Sequence, residues 1–393
     1  MNKFEELGLS NDLLNVIDHL NFDQPTEIQT KSIPLVIKGK DVIGESATGS
    51  GKTLAYGCGI VEQVKPHEGL QALILTPTRE LAEQVKKAIQ QFAQNKHLNV
   101  LAVYGGVAIG PQIRDLPKTN VLVSTPGRFL DHLQRRTVNT SKINLLILDE
   151  ADRMLDMGFM NDVEKIIESC PKERQTLLFS ATIDSRLNQL ASKFTNHPVN
   201  ISAKKHVDSS KLKQVYYDVP KGIKLSLLIH LLKERKEGLA MIFCNTRSTT
   251  DFVVKNLKGN QIKAIALHGG LTQNKRSRII DLFNKGKIDI LICTDVAARG
   301  LHIENVSQIY NYDIPKDPTD YIHRIGRTAR AGEEGEVINL LCEYDYDNFS
   351  RVTDTHRTFS IEKMEKPHVQ RVFTIRNETR RPKRQFNRFK RRY

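Results

Sequence analysis

Short apolar runs of strand length alternate with helix-compatible stretches twice along this chain. In the first half, helical stretches at 79–94 and 162–169 separate such runs, and the alternation predicts a parallel α/β domain over residues 1–203. The apolar runs of this half are residues 72–75, 100–103, 121–123, 145–148 and 176–179. The polar stretch 204–211 that follows predicts a linker.

The pattern restarts after the linker and predicts a second α/β domain over residues 212–365. Its apolar runs are residues 215–219, 240–243, 264–267, 288–292, 308–310 and 337–341. With 393 residues, of which 39% are hydrophobic and 26% charged, the chain is long enough to bury two full cores. We therefore expect an α/β protein with two tandem parallel-sheet domains.

The net charge of +14 is concentrated at the C-terminus. Residues 366–393 contain eleven Lys and Arg against the single acid Glu378, which leaves +4 for the rest of the chain. Phe386, Phe389 and Tyr393 are interleaved with these cations, and their rings suit stacking on unpaired bases. Residues 366–393 are thus expected to form a disordered basic tail that binds RNA, the alternative being a solubilising end without a partner.

Composition also restricts location. No apolar run approaches the ~18 residues of a membrane span, and residues 1–6 lack the apolar core of a secretory signal. The five cysteines are scattered without a C-x-x-C pair, so we expect buried thiols rather than a zinc site or a disulfide framework. These features predict a cytoplasmic protein with no membrane partner.

The sequence Ala47-Thr-Gly-Ser-Gly-Lys-Thr53 predicts a phosphate-binding loop between a short strand and a helix. Its glycines permit positive φ, so that backbone N–H groups close around an anion. Lys52 would lie between the β- and γ-phosphates, and the Thr53 hydroxyl would ligate Mg²⁺. Taken alone, the string also fits a glycine-rich turn. The expected nucleotide-binding residues here are Thr48, Gly49, Ser50, Gly51, Lys52 and Thr53.

Two adjacent carboxylates, Asp149 and Glu150, follow the apolar run 144–148. Ligands of parallel sheets bind at the carboxyl ends of the strands. Asp149 suits holding Mg²⁺ through water, and Glu150 suits polarising the attacking water. An acidic helix N-terminus would explain the pair in isolation, but its presence beside a phosphate loop favours an ATP hydrolase that uses ATP and Mg²⁺.

A dense cationic segment at 323–330, His-Arg-Ile-Gly-Arg-Thr-Ala-Arg, lies in the second half, which has no phosphate loop of its own. Arg327 and Arg330 are candidate arginine fingers that would stabilise transition-state charge from the opposite domain. The alternative is a surface helix with solvated charges.

With these motifs in this order, residues 4–345 resemble a DEAD-box ATP-dependent RNA helicase of the minimal two-domain kind. The resemblance implies two tandem RecA-like domains, a monomeric core and an RNA-dependent ATPase that locally unwinds RNA duplexes and remodels RNA–protein complexes. Phe4 and the segment 22–29 resemble the adenine-reading segment. There Gln29 would hydrogen-bond the adenine edge and Phe22 would pack on its face.

The segments that contain the residues named at the end of this paragraph resemble the family's RNA-backbone motifs. Segments 243–246 and 313–315 also match motifs of the family. Their hydroxyls, bare backbone N–H groups and charges would bind phosphate oxygens without reading bases, so sequence-independent binding is expected. Preference for RNA over DNA would come from contacts to the 2′-OH. The expected RNA-binding residues are Arg79, Gly105, Gly106, Thr125, Arg128, Gln273, Arg276 and Thr294.

The resemblance also implies roles that link the two sites. Ser180-Ala-Thr182 resembles the segment that couples the ATP state to strand separation, with Asp152 as its hydrogen-bond partner. His323 would position the attacking water together with Glu150. Asp295 would contribute to the nucleotide site.

Four positions depart from the family pattern. Ser-Ala at 46–47 replaces Ala-Gln, Asn21 replaces Gly, and Ala329 replaces Gly, but none of these removes a functional side chain. Leu-His at 301–302 replaces Ile-Asp, and that Asp normally contacts the ribose of ATP. His302 is therefore expected to weaken nucleotide affinity or make it pH-dependent.

Two other classes share many of these features. A DNA-directed helicase would have the same core, and a clamp-like RNA-binding scaffold would lack hydrolysis although nothing here disables Glu150. The expected partner is RNA, both single-stranded and duplex, with ribosomal precursors and RNA-decay proteins as candidates. The sequence leaves the physiological RNA open among ribosome assembly, messenger decay and cold-induced unfolding.

Overall fold

The computed structural model describes residues 3–47, 49–203, 212–298, 301, 303, 306–329 and 334–375. These residues form two seven-stranded sheets, and the strand pairings in both are parallel. The predicted tandem α/β fold is confirmed. The linker 204–211 lies outside the described residues.

The first sheet is covered by helices on both faces. Its strands are β1 (Val42–Glu45), β2 (Ala72–Leu75), β3 (Val100–Val103), β4 (Val121–Ser124), β5 (Leu145–Asp149), β6 (Gln175–Ser180) and β7 (Val199–Ser202). Its helices are α1 (Asn11–His19), α2 (Glu27–Ile37), α3 (Lys52–Gln63), α4 (Arg79–Phe92), α5 (Ile109–Asp115), α6 (Pro126–Gln134), α7 (Ala151–Asp156), α8 (Met160–Glu168) and α9 (Ser185–Phe194). The strand order is β3-β4-β2-β5-β6-β1-β7.

The second sheet repeats this architecture. Its strands are β8 (Leu212–Asp218), β9 (Leu239–Phe243), β10 (Ile265–Leu267), β11 (Ile290–Cys293), β12 (Val306–Asn311), β13 (Gly335–Leu341) and β14 (Ile361–Lys363). Its helices are α10 (Lys221–Glu234), α11 (Arg247–Gly259), α12 (Gln273–Asn284), α13 (Asp295–Ala298), α14 (Pro318–Ile325) and α15 (Tyr346–Thr355). The order β10-β11-β9-β12-β13-β8-β14 is the order of the first sheet, strand for strand.

Each sheet separates two apolar cores. Along β5, Leu145 and Ile147 pack on one side, whereas Leu146 and Leu148 pack on the other. All five residues of β5 are buried. Because both faces are covered, such strands appear in the sequence as continuous apolar runs.

The start of the expected basic tail lies along the second domain. Val369 and Val372 pack against the core under α10 and α11. Val372 N donates to Ser226 Oγ (3.1 Å), and Asn256 bonds both backbone groups of Ile375, at 2.7 and 3.1 Å. The rest of the tail, 376–393, lies outside the described residues.

Composition led to expectations about the burial of the cysteines and the length of apolar segments. All five cysteines are buried thiols, as expected. Within the described ranges, no helix is both long and apolar enough to cross a bilayer.

Candidate functional site

The loop between β1 and α3 contains the residues expected to bind phosphate, of which Thr48 lies outside the described residues. Gly51 has φ +89°, and a Cβ there would lie only 2.2 Å from Gln29 Nε2, so a larger residue would displace that side chain. Gly49 also has positive φ, +82°. Lys52, the first residue of α3, is buried and donates from Nζ to Ser46 O (2.9 Å). The N-terminus of α3 and its lysine therefore lie at the loop that would hold the phosphates.

Helix α2 supports this loop from one side. Thr26 Oγ1 donates to Ser50 O (2.8 Å), and Gln29 Nε2 donates to Gly51 O (3.1 Å). The other end of the Gln29 amide accepts from Thr26 N (2.8 Å). Gln29 thus joins the adenine-reading segment to the phosphate loop, and its bond to adenine stays a prediction. Phe22 is 38% exposed, so its ring face is accessible for packing.

The two carboxylates lie at the carboxyl end of β5, beside the loop. Asp149 ends the strand and Glu150 follows it with φ +54°, a strained conformation for a residue with a Cβ. Burial raises the pKa of Asp149, and the nearby Lys52 opposes that rise. Burial also raises the pKa of Glu150, and Asp149 adds to it. Both acids therefore ionise less readily than exposed carboxyls.

Tyr56 belongs to this site although the sequence motifs did not indicate it. It lies one turn after Lys52 on α3, and its hydroxyl donates to Asp149 Oδ2 (2.8 Å). Burial raises the pKa of Tyr56 well above its usual value, so the hydroxyl keeps its proton at neutral pH. Tyr56 thereby holds the Asp149 carboxylate, and carboxylate and hydroxyl oxygens such as those of Asp149 and Thr53 are ligands that Mg²⁺ prefers.

The expected partnership between Asp152 and the segment 180–182 is present as a contact. Thr182 donates to Asp152 Oδ2 from both its backbone N and its hydroxyl, each at 3.0 Å. Asp152 N in turn donates to Ser180 Oγ (3.2 Å). Asp152 thus ties the end of β6 to α7. Its role in coupling stays a prediction.

In the cationic segment, Arg324 has a structural environment. It is 1% exposed, and its guanidinium pairs with both carboxylate oxygens of Asp295 at 2.6 Å. It also donates to Asn311 Oδ1 (2.9 Å) and Asn245 Oδ1 (3.1 Å). Asp295, expected at the nucleotide site, therefore holds Arg324 in place in this structure.

Arg327 is buried in the second domain. Its positive charge opposes the rise in the pKa of Glu150 of the first domain. Its guanidinium also donates to Leu301 O. His323 Nδ1 is a buried atom without a hydrogen-bond partner in the described part of the chain. The other predicted finger, Arg330, lies outside the described residues, as do Thr48 and His302.

Among the described residues, two ion pairs connect the domains. Arg276 Nε donates to Glu80 Oε1 (2.7 Å), and Gln273 Nε2 donates to the same oxygen (3.1 Å). Arg153 Nη1 of α7 lies 3.1 Å from Asp320 Oδ1 of α14. The side chains of both ion pairs are at most 15% exposed, so solvent screens them little.

The first of these pairs lies in a cavity of about 400 Å³ between the domains. The cavity brings together six of the eight expected RNA-binding residues, Arg79, Gly105, Thr125, Arg128, Gln273 and Arg276. Gly106, with φ +79°, packs against Arg79, because a Cβ there would lie 2.1 Å from Arg79 Nη1. Thr294 is buried at the start of α13.

The motifs did not single out three further residues near this cavity. Glu80 lines it, and Gln112 and His132 lie beside Arg128. Gln112 Oε1 accepts from Arg128 Nη1 (2.8 Å) and lies 3.0 Å from His132 Nε2. Burial lowers the pKa of His132, so it is neutral more readily than an exposed histidine. Gln112 therefore fixes the orientation of Arg128. Glu80 directly follows Arg79 in a motif that the sequence did indicate.

Two family models and several curated proteins match the chain. The DEAD/DEAH box helicase family matches residues 26–190, and the helicase conserved C-terminal domain matches residues 223–332. The chain is 40% identical over 367 residues to the DEAD-box ATP-dependent RNA helicase CshA of Bacillus subtilis, covering 93% of this chain and 74% of that one. It is 44% identical over 344 residues to the ATP-dependent RNA helicase CshA of Listeria monocytogenes, covering 87% and 66%.

Solved structures give the same result. Dbp5 of S. cerevisiae bound to RNA and ADP BeF3 matches with a TM-score of 0.85 at 31% identity, covering 93% of this chain and 96% of that one. Two RecA-like domains with an ATP site and a facing cleft define an ATP-driven helicase. The chain belongs to the DEAD-box family of ATP-dependent RNA helicases, as the resemblance predicted, and it remodels RNA at the expense of ATP.

Proposed function

We propose that ATP and single-stranded RNA bind cooperatively because each is held by both domains, and that hydrolysis reopens the cleft. The observation that carries this proposal is the pair of buried interdomain ion pairs, Arg276–Glu80 and Arg153–Asp320. The first lies in the candidate RNA cavity, and the second starts from α7, which begins directly after Glu150. A ligand that draws the domains together at one site thereby completes the other.

At the ATP site, the α3 N-terminus and Lys52 bind the phosphates. Thr53 and Asp149 would hold Mg²⁺, which neutralises phosphate charge when bound. Glu150 and His323 position the attacking water. Arg327 and Arg330 stabilise the charge that develops on the transferred phosphoryl group.

At the RNA site, Arg79, Gly105, Thr125 and Arg128 from the first domain face Gln273 and Arg276 from the second. These residues bind backbone phosphate, so recognition is sequence-independent. Closure bends the bound strand away from its complement, and the duplex opens locally. The contact between Asp152 and Thr182 transmits the ATP state to this cleft.

The basic tail, the location of the protein in the cell and its partners are also part of this proposal. The basic residues within 366–393 add affinity for RNA through phosphate neutralisation and stacking. ATP and RNA as substrates, together with the bacterial relatives, support a cytoplasmic protein with a monomeric core. Ribosomal precursors and RNA-decay complexes are the proposed substrates and partners.

Steady-state ATP hydrolysis tests the proposal, measured without nucleic acid, with single-stranded RNA and with DNA of the same sequence. RNA alone should stimulate hydrolysis, and Lys52→Ala should abolish the stimulated rate because the phosphate cradle loses its cation. Equal stimulation by DNA would indicate a DNA-directed translocase. No stimulation by either would indicate a scaffold.

A further inference from the structure

The second domain contains a cavity of about 500 Å³ at the carboxyl ends of its strands, away from the sites described above. Residues from the segments that follow β8, β9, β12 and β13 line it, among them Lys224 of α10, Ser248 of α11 and Asp313. Because the second sheet repeats the strand order of the first, these segments correspond to those that follow β1, β2, β5 and β6. In the first domain, the carboxyl ends of β1, β5 and β6 are where Lys52, Asp149 and the segment 180–182 lie. The cavity is thus the positional counterpart of the ATP site.

The lining supplies a cation and an exposed aromatic ring. Lys224 is buried and pairs with Asp345 Oδ2 at 2.6 Å, and Asp345 also accepts from Cys342 N and Ile314 N. The charges of Lys224 and Asp345 therefore neutralise each other. Lys221, at the start of α10, lies at the surface, and its Nζ is 4.4 Å from the ring centre of Tyr344, which is 71% exposed.

The lining of the cavity also contains hydroxyl and carboxylate groups. Ser248 and Thr249 line the cavity from the first turn of α11, where Thr249 N donates to the capping Thr246 Oγ1 (3.0 Å). Asp313 accepts a hydrogen bond from Asn245 N (2.8 Å) and has further acceptor capacity. A carboxylate of this kind can accept from ribose hydroxyls.

One residue, Arg247, lies between the cavity and the RNA cleft. Arg247 directly precedes Ser248, and its Nη2 lies 2.8 Å from the position that a Cβ of Gly269 would occupy. Gly269 lines the cleft. A phosphate backbone that leaves the cleft past Gly269 therefore meets Arg247 and then the hydroxyls of α11.

We propose that this cavity binds one nucleoside phosphate, with the phosphate at Lys221 and Ser248, a ribose hydroxyl at Asp313 and the base against Tyr344. The position of Arg247, next to Ser248 in the chain and beside Gly269 of the cleft, favours a nucleotide of the bound RNA that lies beyond the cleft. A free nucleoside monophosphate is the other source of the same chemistry. The RNA form of the proposal rests on the proposed RNA binding in the cleft.

The test compares the full chain with Lys221→Ala and Tyr344→Ala. Lys233→Ala removes the same charge about 18 Å further along α10, and Tyr344→Phe keeps the ring, so these two are matched controls. Fluorescence anisotropy with a non-hydrolysable ATP analogue would follow single-stranded RNAs lengthened one nucleotide at a time at either end. Adenosine monophosphate binding would be measured by equilibrium dialysis with the same analogue saturating the first domain.

An affinity step of roughly tenfold is expected when the added nucleotide reaches the cavity, since that is a typical value for one stacked base. The step should vanish in Lys221→Ala and Tyr344→Ala and persist in both controls. Monophosphate binding with the same variant pattern, and no length step, would assign the cavity to a free nucleotide. The absence of both signals would overturn the proposal. Binding of the shortest RNAs would then still support the proposed cleft, whereas failure of every RNA to bind would contradict the cleft itself.

Discussion

At the scale of single residues, the two carboxylates proposed for catalysis, Asp149 and Glu150, are buried in a way that opposes folding. Glu150 has a raised pKa in the folded chain, mainly through burial, so the unfolded chain loses its proton first as pH rises. The contribution of Glu150 to the free energy of unfolding is therefore most favourable at acid pH. It declines as pH rises from the ordinary carboxyl pKa to the raised one. The side chain is retained for chemistry at a cost to stability.

Glu150→Gln tests this conflict. The variant should lose RNA-stimulated ATP hydrolysis, because the water loses its polarising group, yet it should unfold at a higher temperature than the wild type at pH 7. The stability difference should shrink toward zero as the pH falls below the usual carboxyl range. Thermal unfolding across pH checks it, and a Glu150→Gln protein less stable than wild type at pH 7 would contradict the interpretation.

Tyr56→Phe tests the support of the metal-binding carboxylate. The change removes one hydrogen bond to Asp149 and leaves the ring packed against Phe179, with ring centres 5.7 Å apart. We expect the Mg²⁺ concentration for half-maximal ATPase to rise several-fold, since such a bond contributes about 0.5–1.5 kcal/mol. The matched control is Tyr310→Phe, whose hydroxyl bonds Gln308 in the second domain. An unchanged Mg²⁺ requirement in Tyr56→Phe would remove Tyr56 from the site.

At the scale of elements, α7 and α14 meet across the domain boundary through Arg153 and Asp320. Arg153→Ala and Asp320→Asn should each weaken RNA binding in the presence of an ATP analogue by roughly tenfold, in line with about 1.5–3 kcal/mol for a hydrogen bond between charged groups. Binding of the analogue without RNA should change little. The double variant should be no worse than the worse single variant, and strictly additive losses would show that the pair does not act as a unit.

The sequence predicted the buried strands better than the exposed edge strands β7 and β14. Strands such as β5, which are buried on both faces, gave clear apolar runs. The edge strands β7 and β14 gave no such run, because three residues of β7 are exposed and β14 has no buried residue. Periodicity reports burial, and these strands join the sheet through backbone hydrogen bonds instead.

The same limit applies to the candidate sites. Lys52, Asp149 and Arg79 lie in local strings whose chemistry is explicit, so they could be identified from the sequence. Tyr56 meets Asp149 only after folding, and Glu80 meets Arg276 across 196 positions of sequence. No local pattern specifies such pairs, because they depend on how elements and domains are placed.

At the scale of the whole molecule, the basic tail is proposed to extend the RNA-binding surface beyond the two domains. A chain that ends at residue 375 keeps the segment packed on α10 and α11 and removes nine of the eleven terminal cations. It should bind RNA more weakly and with a shallower dependence on salt, by up to ~0.7 in the log–log slope for each phosphate that the tail no longer neutralises. ATP hydrolysis without RNA serves as the folding control, and an unchanged salt slope would reduce the tail to a spacer.

The central claim is that one closure of the two domains serves both ligands, and reciprocal binding tests it most directly. The affinity for single-stranded RNA would be measured with and without a saturating non-hydrolysable ATP analogue, and the affinity for the analogue with and without saturating RNA. The account predicts that each ligand tightens the other by the same factor, on the order of 5–150. Independent binding, with both factors equal to one, would contradict it.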